Sequence, residues 1–312
     1  AHPQALTAGG SPMRRRRALL AEDNPVNVEV ATAMLDSLGF DVHHAANGDA
    51  ALQAVQAGGA EIVLMDCQMP VMDGFKATAE IRRYEQQQGR PRRLPIIAIT
   101  ANALQGDREA CLAAGMDDYL SKPYSQQQLA AVIGRWIQMP VAATVHHGDY
   151  GEHAPAPQSA PAWPPHSEPD VTLHLHGLHD EGHDVHAASE AQDEHDPINP
   201  SALANIRALS SDRGNALVRK VVSAYVDDTP QHLEALRRAI SGNDALRLRK
   251  EAHSLKSSSA NVGAETLAQM CKEMEHLGRT ETTEGAAGIL THMELEFQAV
   301  RHTLTAILEK EA

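Results

Sequence analysis

The sequence is poor in cysteine, in aromatic residues and in long apolar runs. Its three cysteines, Cys67, Cys111 and Cys271, are scattered and odd in number, which argues against a disulfide framework and against a zinc site built from cysteine. No stretch approaches the roughly 18 consecutive apolar residues of a membrane span, so we predict no membrane contact. Aromatic residues make up only 3% of the chain, so any core must be mainly aliphatic.

Positive charge is missing from the middle of the chain. Residues 138–197 contain 11 acidic side chains and no lysine or arginine, and they carry most of the net charge of −14. The same segment holds 10 of the 18 histidines and 8 of the 17 prolines. Because its few apolar groups cannot offset the entropy of ordering, we predict a disordered linker there, and a disordered leader over residues 1–16. The nearly neutral flanks offer no basic face, so we expect no nucleic-acid partner.

Residues 17–137 alternate short apolar runs with helical patterns. The helical patterns include Val26–Leu38, Asp49–Val55 and a last helix over Gln126–Ile137. The predicted strands are Ala18–Ala21, Asp41–Ala45, Ile62–Met65, Ile96–Thr100 and Tyr119–Ser121. Strands that alternate with helices are typical of a parallel sheet covered on both faces, so we predict a doubly wound, five-stranded α/β domain.

Residues 198–312 show a helical pattern to the end. Pro230 and Gly242 are predicted to mark one junction between helices, and Asn261–Gly263 another. Leu248, Ala252, Leu255 and Ser259 fall on one helical stripe. We predict an all-α helical bundle.

Polar residues follow several of the predicted strands. Glu22 and Asp23 follow the first strand, Asp66 the third, and Lys122 the fifth, while Thr100 ends the fourth. In open parallel sheets, ligands bind at the carboxyl edge of the strands. Three carboxylates placed together repel one another unless a cation lies among them, and all-oxygen ligation suits Mg²⁺. A lysine and a hydroxyl group nearby would complement a phosphoryl group.

These residues lie in motifs that resemble the response-regulator receiver domain, a flavodoxin-like fold. The motifs occur in the family's order and spacing: Leu19-Leu20-Ala21-Glu22-Asp23-Asn24, Leu64–Gly74, Thr100-Ala101 and Ser121-Lys122-Pro123. The resemblance implies that Asp66 is the nucleophile that accepts a phosphoryl group. It also implies that Glu22, Asp23, Asp66 and the backbone carbonyl of Gln68 hold Mg²⁺.

The same resemblance implies roles for residues on the last two strands. Lys122 would pair with the phosphoryl oxygens, Thr100 would move to meet them, and Tyr119 would follow Thr100. The bond from Lys122 to Pro123 is expected to be cis.

A single histidine in the helical part lies among cations and small residues. If the Leu248–Ser259 stripe faces inward, His253 lies at the margin of the core, and we expect it to be exposed. Arg249, Lys250, Lys256 and Ser257 share its face. Cations there would favour a phosphorylated imidazole, and small side chains would admit another protein's loop.

The string from Ala252 to Ala264 closely resembles the phosphoacceptor motif of histidine phosphotransfer (Hpt) domains. The resemblance implies that His253 is a phosphoacceptor. The family usually has glycine where this chain has Ser257, so access for a partner is expected to be slightly tighter. A DNA-binding output domain is the alternative for this part, but the chain lacks a basic recognition helix.

Together the two resemblances imply the receiver and phosphotransfer tail of a hybrid sensor histidine kinase. Asp66 would receive the phosphoryl group from a kinase histidine and exchange it with His253, which would pass it to a downstream response regulator. No glycine-rich nucleotide site occurs in the sequence, so the kinase core would lie elsewhere, and whether this chain is itself an enzyme is left open. The expected location is cytoplasmic, or the cytosolic part of a membrane-bound sensor.

Two alternatives stay open. The chain could be a free-standing relay protein, although its start at Ala1-His2-Pro3, with Met13 inside, also suits a piece of a longer protein. The second alternative is a metal-responsive protein that uses histidines between His174 and His186, since such a tract could bind Zn²⁺, Ni²⁺ or Cu²⁺ weakly.

Overall fold

The computed structural model describes residues 15–89, 92–100, 105–137 and 196–310. We call residues 15–137 the α/β region and residues 196–310 the helical region. The predicted linker lies outside the described residues except for its last two positions, and so do residues 1–14 of the predicted leader.

The α/β region is a five-stranded parallel sheet with helices, as the sequence predicts. The strands are β1 (Arg16–Ala21), β2 (Phe40–Ala45), β3 (Ile62–Asp66), β4 (Ile96–Thr100) and β5 (Asp118–Ser121). The helices are α1 (Pro25–Ser37), α2 (Gly48–Ala57), α3 (Gly74–Gln87), α4 (Gln105–Ala113) and α5 (Gln126–Trp136). All neighbouring strands pair in parallel, in the order β2-β1-β3-β4-β5.

The strand order places a switch point between β1 and β3. The chain leaves β1 toward β2 on one side and reaches β3 on the other, so the loops after β1 and β3 diverge and leave a crevice at the carboxyl edge. Every residue of β3 and β4 is buried, which explains why these strands read as continuous apolar runs. Cys67, directly after β3, packs its thiol 3.8 Å from that of Cys111, and neither of these two cysteines forms a disulfide.

The helical region contains five described helices. They are α6 (Pro200–Ala208), α7 (Gly214–Ser241), α8 (Ala245–Val262), α9 (Glu265–Arg279) and α10 (Ala286–Lys310). Gly242 and Gly263 end α7 and α8, as predicted, and Gly263 adopts the left-handed conformation with φ +84°.

The predicted junction at Pro230 is wrong, because Pro230 lies inside α7. Proline inside a helix costs about 3 kcal/mol. Tyr225 and Thr229 before it, and Leu233 and Leu236 after it, are all buried on one continuous face of α7. Burying that face outweighs the missing hydrogen bond, since each large apolar side chain contributes roughly 1.5–3 kcal/mol.

Helix α1 packs against α7 and α8, so the two regions meet. One hydrophobic core continues from β1 and α1 into the helical region. Across the described ranges, the helices that are long enough to span a membrane are not apolar enough to do so.

Candidate functional site

Three carboxylates meet at the carboxyl edge of the sheet. Glu22 and Asp23 follow β1, and Asp66 ends β3 beside it. One ligand oxygen from each of the three lies within 4.8 Å of the others. Hard oxygen donors at this spacing suit a divalent cation such as Mg²⁺. The structure thus brings together the three side chains that the sequence nominates for a metal site.

Lys122 lies buried among these acids. Its Nζ is 2.5 Å from Oδ2 of Asp66 and 2.7 Å from Oε2 of Glu22. Burial disfavours the ammonium, but the charges of Asp66 and Glu22 outweigh it and raise the pKa of Lys122. Burial also raises the pKa of Glu22 to about 8, with the charge of Asp66 adding to the effect, and raises that of Asp23. A divalent cation bound among these carboxyl groups would offset both their burial and their mutual repulsion and favour their ionised forms.

The remaining predicted residues of the sheet lie at or next to the ends of β3, β4 and β5. The backbone N–H of Gln68 donates to Oδ1 of Asp66 at 3.0 Å, which fixes the carboxylate. Thr100 is buried at the end of β4, and the backbone N–H of Lys122 donates to its carbonyl at 2.7 Å. The guanidinium of Arg108 lies 5.9 Å from the ring centre of Tyr119 on β5. The bond between Lys122 and Pro123 is cis, as the resemblance implies.

His253 lies on α8 and is held by a carboxylate from α9. Its Nδ1 is 3.2 Å from Oε1 of Glu275. The same carboxylate binds Arg279 through Oε1 and Lys256 through Oε2. Burial would raise the pKa of Glu275, but hydrogen bonds from His253 and Lys256 outweigh it and lower the pKa to about 2. The carboxylate is therefore ionised, and it favours the imidazole tautomer with its proton on Nδ1.

The expectation that His253 is exposed is wrong. The side chain is 6% exposed, because α9 covers one side and the α/β region covers the other. The predicted cations also separate: Lys256 turns to Glu275, while Arg249 packs its Cβ toward Gly278 of α9. Lys250 stays exposed near Asp23, where its charge lowers the pKa of that carboxyl against the effect of burial.

Both sets of residues line one cavity of about 240 Å³. Asp23, Asp66 and Lys122 form its wall on the α/β side. His232, His253 and Ser254 form the wall on the helical side. The arrangement places the buried carboxylate of Asp66 and the buried imidazole of His253 at a common space.

Family models match both regions. The model described as response regulator receiver domain matches residues 18–134, and the model described as Hpt domain matches residues 220–303. The chain contains a receiver domain and an Hpt domain. Both matches fall within the segments that the sequence predicts, 17–137 and 198–312.

Among curated relatives, the receiver domain resembles those of sensor kinases. Sensor protein GacS of Pseudomonas syringae pv. syringae is 42% identical over 137 residues, which cover 43% of this chain and 15% of that protein. Histidine kinase 5 of Arabidopsis thaliana is 38% identical over 143 residues, which cover 39% of this chain and 16% of that protein. The chain thus spans under a fifth of the length of these relatives.

Solved structures also resemble the chain. The receiver domain of a sensor histidine kinase from Pseudomonas aeruginosa PAO1, crystallised with magnesium in its active-site cleft, is 50% identical, with a TM-score of 0.36. That match covers 39% of this chain and 98% of that one. A chain from the co-crystal of Saccharomyces cerevisiae Ypd1 with the receiver domain of Ssk1 is 31% identical and 94% covered, over 41% of this chain, with a TM-score of 0.38.

Sequence reasoning missed two groups beside His253. Glu275 follows it by 22 positions, on the next helix, with no local signal beyond an acid on a largely buried face. His232 on α7 is held between two carboxylates, with Nδ1 2.9 Å from Glu251 and Nε2 3.1 Å from Asp228. Burial would lower the pKa of His232, but these two hydrogen bonds raise it to about 9.

Proposed function

We propose that this chain is a phosphorelay module in two-component signal transduction. Asp66 accepts a phosphoryl group from a kinase phosphohistidine and exchanges it with His253, which passes it to a downstream response regulator. The single observation that supports this best is the cavity that Asp66 and His253 share. The carboxylate cluster on one wall and the oriented imidazole on the other supply the two acceptors that a relay needs.

The transfer step uses Asp66, Lys122 and His253, which line this cavity, and Glu275, which contacts His253. Nε2 of His253 attacks the phosphorus of the Asp66 acyl phosphate, a P–N bond forms, and the bond from phosphorus to the Asp66 oxygen breaks. The electron pair of that bond returns to the carboxylate, which Lys122 then stabilises from 2.5 Å. The proton on Nδ1 stays in place, and Glu275 stabilises the positive charge that the imidazole gains.

The proposed cation site uses Glu22, Asp23, Asp66 and the backbone carbonyl of Gln68. When bound there, Mg²⁺ would neutralise charge on the phosphoryl oxygens. Within this chain, Lys122 supplies the fixed positive charge, and Thr100 is proposed to move toward the phosphoryl group. Tyr119 is proposed to follow Thr100, and Pro123 to hold the backbone beside Lys122.

The partners are proposed from the domain pair and from the relatives. Because the matched curated proteins include sensor and hybrid histidine kinases, we propose that a histidine kinase core acts on Asp66, in the same parent protein or in trans. A separate receiver would take the phosphoryl group from His253. The alternative metal-responsive function depends on His174–His186, which lie outside the described residues.

Transfer of label tests the proposal. The chain is incubated with Mg²⁺ and labelled acetyl phosphate, and alkali-stable label on histidine is separated from alkali-labile acyl phosphate. We expect label on Asp66 first and on His253 later. Asp66→Asn should remove both, and His253→Gln should remove only the alkali-stable label.

Two surface variants serve as matched controls. Asp41→Asn and His302→Gln change the same residue types at exposed positions and should behave as the wild type. Equal histidine labelling in Asp66→Asn would mean that the receiver regulates the chain without relaying phosphate. Absence of label on both residues would overturn the proposal.

A further inference from the structure

Two asparagines of the receiver meet two serines of the Hpt domain in matching register. Nδ2 of Asn24 donates to Oγ of Ser254 at 3.1 Å, and Nδ2 of Asn27 donates to Oγ of Ser257 at 3.3 Å. The two asparagines are three positions apart, with Asn24 capping α1 and Asn27 in its first turn, and the two serines are three positions apart on α8. A third contact extends the set, since Nδ2 of Asn261 donates to Oδ1 of Asn27 at 2.8 Å. We call these five residues the amide–hydroxyl layer.

The orientation of both asparagines is fixed within the receiver. Oδ1 of Asn24 caps α1 by accepting from the backbone N–H groups of Val26 and Asn27, so its Nδ2 points away from the helix. Nδ2 of Asn27 also donates to Oε1 of Glu22 at 2.9 Å. Asn24 is 2% exposed and Asn27 is 5% exposed, so a donor that lost its partner there would not recover it from bulk water.

Ser257 completes this layer from the Hpt side. Its hydroxyl donates to the carbonyl of Ser254 at 3.1 Å, which leaves an oxygen lone pair to accept from Asn27. A glycine at this position offers no acceptor. His253 lies one turn before Ser257 on the same helix, so contacts at Ser254 and Ser257 set how the imidazole faces the receiver pocket.

We propose that the amide–hydroxyl layer determines which receiver this Hpt domain serves. It selects receivers that carry an amide at the position of Asn27. It disfavours those with an apolar side chain there, because the hydroxyl of Ser257 would lose its buried donor and the half-buried amide of Asn261 would lose its acceptor. The inference rests on the proposed phosphotransfer function and names the partner of the same site. An acidic side chain would also be rejected, since it would lie against Glu22.

Competition between full-length chains tests this specificity. The donor carries Asp66→Asn and is phosphorylated on His253 by phosphoramidate. Its own receiver therefore cannot accept the phosphoryl group, and it competes for His253 equally against every added acceptor. The acceptors carry His253→Gln, with Asn27 either native or changed to Leu. We expect transfer to the Asn27→Leu acceptor to be about tenfold slower, the effect of one lost buried hydrogen bond.

The double donor variant Ser257→Ala/Asn261→Ala removes the two side chains that hydrogen-bond to Asn27. With this donor, the transfer rates to the two acceptors should differ by less than about twofold. Asn261→Ala alone changes a residue farther from the pocket and should remove part of the discrimination between the acceptors. Each acceptor is normalised to its own labelling by acetyl phosphate, because Asn27 contacts Glu22. Lys220→Ala, in an exposed pair with Glu29, is the matched donor control and should keep the discrimination.

The outcomes separate the two proposals. Equal normalised transfer to both acceptors from the unmodified donor overturns the specificity inference and leaves the relay intact. Discrimination that persists undiminished in the double donor variant also overturns it. No transfer to the native acceptor means that the proposed phosphotransfer function itself is wrong.

Discussion

Oε1 of Glu275 lies 3.2 Å from Nδ1 of His253, and this contact selects the nitrogen that can react. A carboxylate only accepts hydrogen bonds, so it favours a proton on Nδ1 and leaves the lone pair of Nε2 available. Lys256 and Arg279 bind the same carboxylate and keep it ionised. Glu275 is thus a positioning residue that acts through His253.

Glu275→Gln should slow transfer from Asp66 to His253 by about 10–100-fold, as losses of orienting partners do at other sites. The glutamine amide can donate to Nδ1 and stabilise the tautomer in which Nε2 carries the proton. The rate is measured in chains first labelled at Asp66 by acetyl phosphate. Glu273→Gln, exposed on the same helix, is the control and should transfer at the wild-type rate. Equal rates in both variants would rule out an orienting role.

The same carboxylate should make stability depend on pH in the acid range. Its pKa is lowered from 4.5 to about 2, so its contribution is fully present above pH 4.5 and is lost as pH falls through 2. That contribution is on the order of 3 kcal/mol. The measurement is the difference in free energy of unfolding between wild type and Glu275→Gln at several pH values. A difference that stays constant from pH 6 to pH 2.5 would contradict the prediction.

Asp23→Asn should weaken Mg²⁺ binding at least about tenfold, because it removes one anionic ligand from a set of three carboxylates. Calorimetric titration with Mg²⁺ measures this directly, and the Mg²⁺ concentration that gives half-maximal Asp66 labelling should rise in parallel. Asp41→Asn is the exposed control. If Asp23→Asn left both quantities unchanged, the three-carboxylate site would be disproved.

Much of the receiver could be predicted because its signals are local. Strands β3 and β4 are unbroken buried runs, and Glu22, Asp23 and Asp66 stand directly at strand ends. Parallel pairing then forces those ends together. The pocket follows from sequence position alone, without knowledge of side-chain packing.

The Hpt side was harder because its chemistry depends on contacts between helices. Glu275 reaches His253 from α9, and Asn27 reaches Ser257 from another domain, 230 positions away. Neither pairing leaves a periodic signal. The exposure predicted for His253 failed for the same reason, since a helical stripe identifies the inward face but not the domain that packs on the other one. The junction predicted at Pro230 was wrong because the local tendency of proline to end a helix is outweighed by burial along α7.

His232→Gln should remove a contribution to stability that depends on pH in the opposite sense to that of Glu275. The pKa of His232 is raised from 6.5 to about 9, so its contribution is fully present below pH 6.5 and is lost as pH rises through 9. Asp228 and Glu251 face its two nitrogens, and Arg247 lies 3.9 Å from the other oxygen of Glu251. We expect a difference on the order of 3 kcal/mol at pH 6.

Unfolding at pH 6, 7.5 and 9.5 checks this sign. The difference in free energy of unfolding between wild type and His232→Gln should become smaller as pH rises. For the exposed control His302→Gln, the same difference should stay near zero at every pH. A gap that widens toward pH 9.5 would show that His232 is buried in its neutral form.

Gly74→Ala should displace the backbone of Asp66. A Cβ at Gly74 would lie 2.1 Å from the carbonyl oxygen of Asp66. This contact is too short to tolerate, and relieving it requires a shift of the backbone rather than of a flexible side chain. We expect a loss of about 1–3 kcal/mol in the free energy of unfolding and slower labelling of Asp66 by acetyl phosphate. Gly134→Ala is the matched control, because that exposed helical glycine has open space around its Cβ position. The control should gain up to about 1 kcal/mol through helix propensity and label normally. If both variants gained stability and labelled alike, the close packing of Gly74 on Asp66 would have no consequence for the site.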